Sequence, residues 1–230
     1  MSKLTKKQKI LQEKLDVEKT YSVSEAMEII QAVKSQKFDE SIDISIKLGV
    51  DSNQSDQNVR GAVTLPNTLG KEVKVAVFAD GDQATAASES GADHIGMEDL
   101  AEKFTKEEIM VDVVISTNAA MKVVGKLGQV LGPKGLMPNP KTGTVSDDVA
   151  TAIKNVKAGQ VRFRTDKNGI IHGSIGKTSF DSKKIIANAS ALIDELNKLK
   201  PASAKGIFIG NISISSTMGP GIKINPGELV

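Results

Sequence analysis

A chain of 230 residues with 39% hydrophobic side chains can bury a core in one large domain or in two of ordinary size. No apolar run approaches the roughly 20 residues a membrane helix needs, and the start MSKLTKKQKILQEKL lacks the apolar core and cleavage site of a secretory signal. The absence of cysteine removes disulfides, thiolate metal sites and cysteine nucleophiles, as fits a cytoplasmic protein. The net charge of +2 says little, but residues 76–112 hold ten acids against two lysines, and residues 113–165 hold eight bases against two acids.

In chain order, residues 3–15 predict a lysine-rich helix. Ser22 and Glu25 have capping-box spacing. Ala26, Met27, Ile29, Ile30 and Val33 then recur at helical spacing, predicting a helix that ends near Phe38. In ESIDISIKLG, Ile42, Ile44, Ile46 and Leu48 alternate with polar residues, which predicts a strand with one wet face in an open antiparallel sheet. Residues 50–60 are polar and loop-like, and a short apolar piece, 62–65, runs into Pro66.

Beyond Leu69 the style changes. The nearly continuous apolar runs at 73–79 and 111–115 and a short strand at 92–96 alternate with helical stretches at 83–90, 97–104 and 118–125. That order predicts a small parallel sheet covered by helices. Ser146 or Asp147 can cap a further helix that stops at Gly159. The alternating style then returns in Val161 to Arg164. Asn168-Gly169 predicts a hairpin turn into a strand at 170–175. Asp181 caps a helix over 182–199, and residues 207–214 predict a last strand pair or one bulged strand.

The stretch Lys126 to Val145, KLGQVLGPKGLMPNPKTGTV, holds three prolines, three lysines and no acid, with glycines at Gly128, Gly132, Gly135 and Gly143. Proline and glycine argue against any helix or central strand running through it. Leu127, Val130, Leu131, Leu136, Met137 and Val145 predict a packed loop. Exposed backbone N–H groups and unpaired lysines there would suit a phosphate-bearing partner; a long connection with merely solvated lysines is the other reading.

Strand style thus runs A, B, A along the chain. A discontinuous domain from both ends with a second domain inserted explains this most economically, with crossings near Pro66–Thr68 and Ala158–Gly159; a single continuous domain is the alternative. Nucleotide motifs fail. Gly176-Lys177-Thr178 ends like a phosphate-binding loop, but its first glycine would have to stand at Ile171. No Gly-x-Gly-x-x-Gly follows the run at 73–79. His94 beside Asp93 reads as a surface histidine, and His172 as a strand residue facing water or a polyanion. Aromatic residues are only 3%, so any RNA bound should be read through shape, phosphates and 2′-hydroxyls rather than base stacking.

The loop GKLGQVLGPKGLMPNPKTGTV resembles the signature of the ribosomal protein L-one family of the large-subunit stalk. KFDESIDISIKLGVD at 37–51, SDQNVRGAVTLP at 55–66 and STMGPGIKINP at 216–226 resemble the same family, so the likeness spans essentially the whole chain. It implies a two-domain protein of mixed α/β and α+β class. A split β-α-β sandwich, residues 1–66 and 160–230, would grip RNA, and a Rossmann-like parallel-sheet domain, 67–159, would be inserted without nucleotide function. Carried over, the grip falls on Lys37, Phe38 and Ser41 and on Thr217, Met218 and Gly219. Lys126, Lys134 and Lys141 would touch RNA secondarily. Implied partners are large-subunit ribosomal RNA, exit-site transfer RNA and the messenger RNA of its own operon. The resemblance further implies a monomer when free, on cytoplasmic ribosomes, with no cofactor, metal, membrane or catalysis. The rival class is an enzyme that uses the parallel sheet on a nucleotide or phosphorylated metabolite.

Overall fold

Two kinds of strand build two separate cores. The computed structural model describes residues 11, 15–16, 19–34, 38–52, 54–70, 72–106, 108–204 and 206–229. The helix expected over 3–15 lies almost wholly outside these residues. The chain divides into two compact units, one running to Leu69 and resuming at Val161, the other spanning Gly70–Gln160. Among the described residues no helix is long and apolar enough to cross a membrane.

The end-to-end unit is organised by the alternation already visible in β1 (Ser41–Leu48). Ile42, Ile44, Ile46 and Leu48 are buried and their neighbours face outward. β1 pairs antiparallel with β7 (Ile170–Lys177) on one side and β8 (Ile209–Ser216) on the other, and β9 (Gly221–Ile224) extends the sheet beyond β8. The inner face is closed by α1 (Val23–Val33) and α7 (Ser182–Lys198), through Met27 and Ile30 and through Ile185, Leu192, Ile193 and Leu196. Each such side chain contributes roughly 1.5–3 kcal/mol by leaving water. Ser22 Oγ accepts from Glu25 N at 3.1 Å while Glu25 Oε2 accepts from Ser22 N at 3.0 Å, so the capping box forms. α1 ends at Val33, short of the predicted Phe38: Lys34 already has ψ 149°, which breaks the helical ladder.

β2 (Arg60–Thr64) and β6 (Gln160–Arg164) form a separate two-stranded sheet. The expected hairpin at Asn168-Gly169 is confined to the residues beside its turn, where Thr165 pairs antiparallel with Ile171. The turn is present, with Gly169 at φ 72° and the Asp166 carboxylate accepting from Asn168 N and Ile170 N. Its two arms nevertheless enter different sheets, β6 joining β2 and β7 joining β1. Asp181 sits at the N-cap of α7 without a side-chain cap bond.

In the inserted unit β3 (Val75–Phe78) lies between β4 (His94–Gly96) and β5 (Val113–Ser116), all parallel. Every residue of β3 and β5 is buried, because helices cover both faces. Val75, Val77, Val113 and Ile115 meet Ala87 of α2 (Asp82–Glu89) and Ile153 of α6 (Val149–Lys157). Ala76, Phe78 and Val114 meet Leu100 and Phe104 of α3 (Glu98–Thr105), Val124 of α4 (Met121–Lys126) and Leu131 of α5 (Gly128–Leu131). The cap of α6 is Asp148, one residue past the expected pair, accepting from Thr151 N at 3.1 Å.

One buried amide ties the strand–helix layer of the end-to-end unit to the chain after Pro66. Asn188 of α7 is fully buried; its Nδ2 donates to Ile175 O at 2.7 Å and Asn67 O at 3.0 Å, and its Oδ1 accepts from Asn67 N at 3.0 Å. Asn188→Ala strands these groups and should cost about 1–3 kcal/mol, read as a lower denaturant midpoint. An unchanged midpoint would show that this clamp contributes nothing.

Candidate nucleic-acid interface

The start of β1 and the end of β8 are locked side by side. Ser41 N donates to Thr217 Oγ1 at 3.1 Å, and Thr217 N donates to Ser41 O at 3.1 Å. These bonds draw Ser41, Thr217, Met218 and Gly219 into one cluster, with Phe38 three residues before Ser41. Phe38 and Met218 keep 50% and 66% of their surface exposed, so neither is a core residue. Lys37 lies outside the described residues. The Thr217 hydroxyl has a second task beyond any ligand: one lone pair already takes the Ser41 N–H, and its proton has Ser41 O within 3.4 Å. At Gly219 a Cβ would collide with Ser216 Oγ, so a side chain here would displace that hydroxyl. The Gly219 N–H donates to Ser216 O at 3.1 Å, closing that turn.

Five residues that sequence reasoning did not name as site residues, Asp39, Glu40, Thr178, Ser179 and Ser216, support the cluster. Asp39 Oδ1 accepts from Thr178 Oγ1 at 2.9 Å and Ser179 N at 3.1 Å, and its Oδ2 accepts from Ser179 Oγ at 2.7 Å. The Ser179 hydroxyl, helped by Thr178 and the Ser179 N–H, holds the Asp39 carboxyl below its ordinary value. Glu40 is 1% exposed; its Oε2 accepts from Ser216 Oγ at 2.7 Å and Met218 N at 3.3 Å. Two adjacent acids look like solvated surface in a sequence. The bonds of exposed Asp39, and both the bonds and the burial of Glu40, arise from partners more than a hundred positions away.

The outward face of the sheet continues from this cluster. Asp43 lies between Ser174 and Ser215, and Ser45 between His172 and Ser213. A shallow cavity of about 480 Å³ is lined by Asp43, Ser45, His172, Ser174 and Ser215. Its walls offer hydroxyl donors and acceptors rather than a cationic cradle. His172 is exposed, as expected, and its Nε2 lies 3.6 Å from Asp166 Oδ2. His94 forms no dyad with Asp93, whose Oδ2 accepts from Val75 N at 2.8 Å.

In the inserted unit Lys126, Lys134 and Lys141 are exposed. The stretch around them differs from expectation in three ways. Gly128–Leu131 forms a helical turn and Pro140–Thr142 a 3-10 turn, despite the glycines and prolines. Loop N–H groups turn inward: Gly135 N donates to Gly132 O, Leu136 N to Leu131 O and Lys141 N to Asn139 Oδ1. Lys134 makes an interaction within the protein. The expected apolar anchors hold at buried Leu127 and Leu131 and at half-buried Leu136 and Met137, which pack against the same cluster, and buried Thr142 and Thr144, bonded to Asn139 and to each other, add to them. Phosphate attraction here rests on lysine charge, not on a backbone cradle.

The sequence pattern of the Ribosomal protein L1p/L10e family matches residues 30–220, a span that includes both halves of the Ser41–Thr217 lock. The chain belongs to this family. Its bacterial relatives are similar from end to end. The protein called large ribosomal subunit protein uL1 in Pseudoalteromonas atlantica is 56% identical over 229 residues, covering 100% of this chain and 98% of that one. Its namesake in Saccharophagus degradans is 57% identical over 229 residues, covering 100% and 99%. The namesake in Chromohalobacter salexigens is 55% identical over 230 residues, covering 100% of both. The mixed α/β architecture accords with family membership.

The lowered Asp39 pKa has a stability consequence with a defined sign. A carboxyl depressed in the folded state stabilises above its unfolded value, near 3.8, and that contribution is lost as pH falls through the lower folded value. Asp39→Asn should therefore flatten the loss of stability below about pH 4 while the wild type steepens there. Identical acid titrations of stability for the two proteins would sink this assignment.

Proposed function

We propose that this protein is a non-catalytic structural constituent of the large ribosomal subunit that binds large-subunit ribosomal RNA through the Ser41–Thr217 cluster. The observation that carries this reading is the reciprocal bonding of Ser41 and Thr217. It presents exposed Met218 beside hydroxyls and close-approach backbone, with exposed Phe38 three residues before Ser41 in the chain. Such a surface suits a prefolded RNA: ribose rings pack on the apolar atoms, and 2′-hydroxyls exchange hydrogen bonds with serine and threonine. The names of its relatives support the ribosomal setting.

The finer parts of the function follow from family resemblance. On the ribosome the protein assists release of deacylated transfer RNA from the exit site; free, as a monomer, it binds a similar fold in its own operon's messenger RNA and represses translation. The exposed Lys126, Lys134 and Lys141 add a weaker electrostatic contact. An enzyme acting on nucleotides is disfavoured by local charge. Where a phosphate would rest, at the β3–α2 turn, stand Asp80 and Asp82.

Thr217→Ala and Met218→Ala should weaken binding to a transcript of the large-subunit ribosomal RNA stalk region by roughly tenfold or more at every salt concentration. Lys134→Ala should weaken it mildly and lower the salt slope by about one. Filter binding across a salt series measures both, and equal salt-insensitive losses in all three variants would refute the assignment. Binding of the leader transcript, competed by the ribosomal transcript, tests the regulatory role, which fails if there is no competition.

A further inference from the structure

Glu40 is a buried carboxylate that no ligand can reach, set directly beneath a surface proposed to hold a polyanion. Burying an acid there is costly twice over, through desolvation and through repulsion of phosphate, unless its bonds do something a neutral residue would not. Its Oε2 takes the Ser216 hydroxyl at 2.7 Å and the Met218 N–H at 3.3 Å. Its own backbone oxygen takes the Thr178 N–H at 2.9 Å. One residue thereby fixes the turn after β8 and the loop after β7 against the start of β1. Ser216 is the residue that a Cβ at Gly219 would strike, so the same bond holds the hydroxyl under the Gly219 backbone. Met218, in contrast, has little else to hold it, since two thirds of its surface is in solvent.

We infer that Glu40 is the positioning residue of the RNA-binding turn: its carboxylate holds the Ser216 hydroxyl and the Met218 N–H, aiming the Met218 side chain and the Gly219 backbone at the RNA without touching it. The inference rests on the proposed RNA-binding role of the cluster. A charged acceptor suits the task because bonds to an ionised oxygen are shorter and stronger than neutral ones. Asp39 next to it faces the other way, onto Thr178 and Ser179, so the two acids divide the loops between them.

The test is a double-mutant cycle on the full chain, with the stalk-region transcript of large-subunit ribosomal RNA as probe. Glu40→Ala should raise Kd about tenfold with an unchanged salt slope, because no phosphate contact is lost. Glu40→Gln, whose neutral amide oxygen accepts both bonds more weakly, should recover only part of that affinity. Met218→Ala should cost much less in the Glu40→Ala background than in the wild type, since a turn already misaimed has little left to lose. Should Glu40→Ala fail to fold, Ser216→Ala removes one of the two bonds and should show the same coupling to Met218→Ala at smaller size. Wild-type affinity in Glu40→Ala, or losses that simply multiply in the double variants, overturns the inference alone. No wild-type binding, or a Met218→Ala variant that binds normally, overturns the RNA-binding reading beneath it.

Discussion

Antiparallel pairing of β1 with β8 makes neighbours of two residues 176 positions apart, Ser41 and Thr217. Closing so long a loop carries an entropic penalty, although one that grows only slowly with length. The inserted unit reduces it, because the intervening chain is not a floppy loop: Gly70–Gln160 has its own parallel sheet and two apolar layers. Once β1 and β8 are in register, the inward isoleucines drive them onto α1 and α7, and the outward serines are presented without further adjustment. Register matters twice, since a slip by one residue would exchange the two sets.

The surface that results is unlike a basic nucleic-acid footprint. Asp39, Glu40 and Asp43 sit within five residues of each other at its heart, with Phe38 and Met218 at its edge. In the proposed RNA complex, with Lys177 opposite Ser41 as counter-charge to these acids, Coulomb attraction need not be the main source of affinity. Hydroxyl exchange and apolar contact can, provided the groups are already in place, because every degree of freedom left to freeze subtracts from binding. The two buried or bonded acids supply that order from below. In the proposed complex long-range charge attraction is left to the exposed lysines of the inserted unit, on a stretch whose backbone is occupied with its own turns.

Much of this architecture could be read before any coordinates. Ile42-x-Ile44-x-Ile46 demanded a half-wet strand, and the nearly continuous apolar runs at 73–79 and 111–115 demanded a doubly covered one. Periodicity of this kind reports burial directly. What escaped were features set by partners distant in sequence. Asn168-Gly169 encodes its turn and the short Thr165–Ile171 pairing beside it, but cannot say which strands the arms will join farther out, where β6 pairs with β2 and β7 with β1. The helical turn at Gly128–Leu131 forms against glycine's preference because Leu127 and Leu131 are drawn into the core. Glu40 gave no signal at all: an acid beside an acid reads as solvated, and only the fold shows it 1% exposed. Of the residues carried over by resemblance, Ser41, Thr217, Met218 and Gly219 fall at one end of one sheet, with Phe38 three residues ahead of it in the chain, whereas the three lysines belong to the other unit.

Hydrogen exchange on the full chain, with and without the stalk-region ribosomal transcript, tests the central claim that both chain ends form one contact surface. The account predicts that amides of residues 38–43 and 215–221 gain protection together, at the same RNA concentration, and keep it at high salt. Protection confined to residues 126–141, or gained by only one of the two end segments, would contradict it.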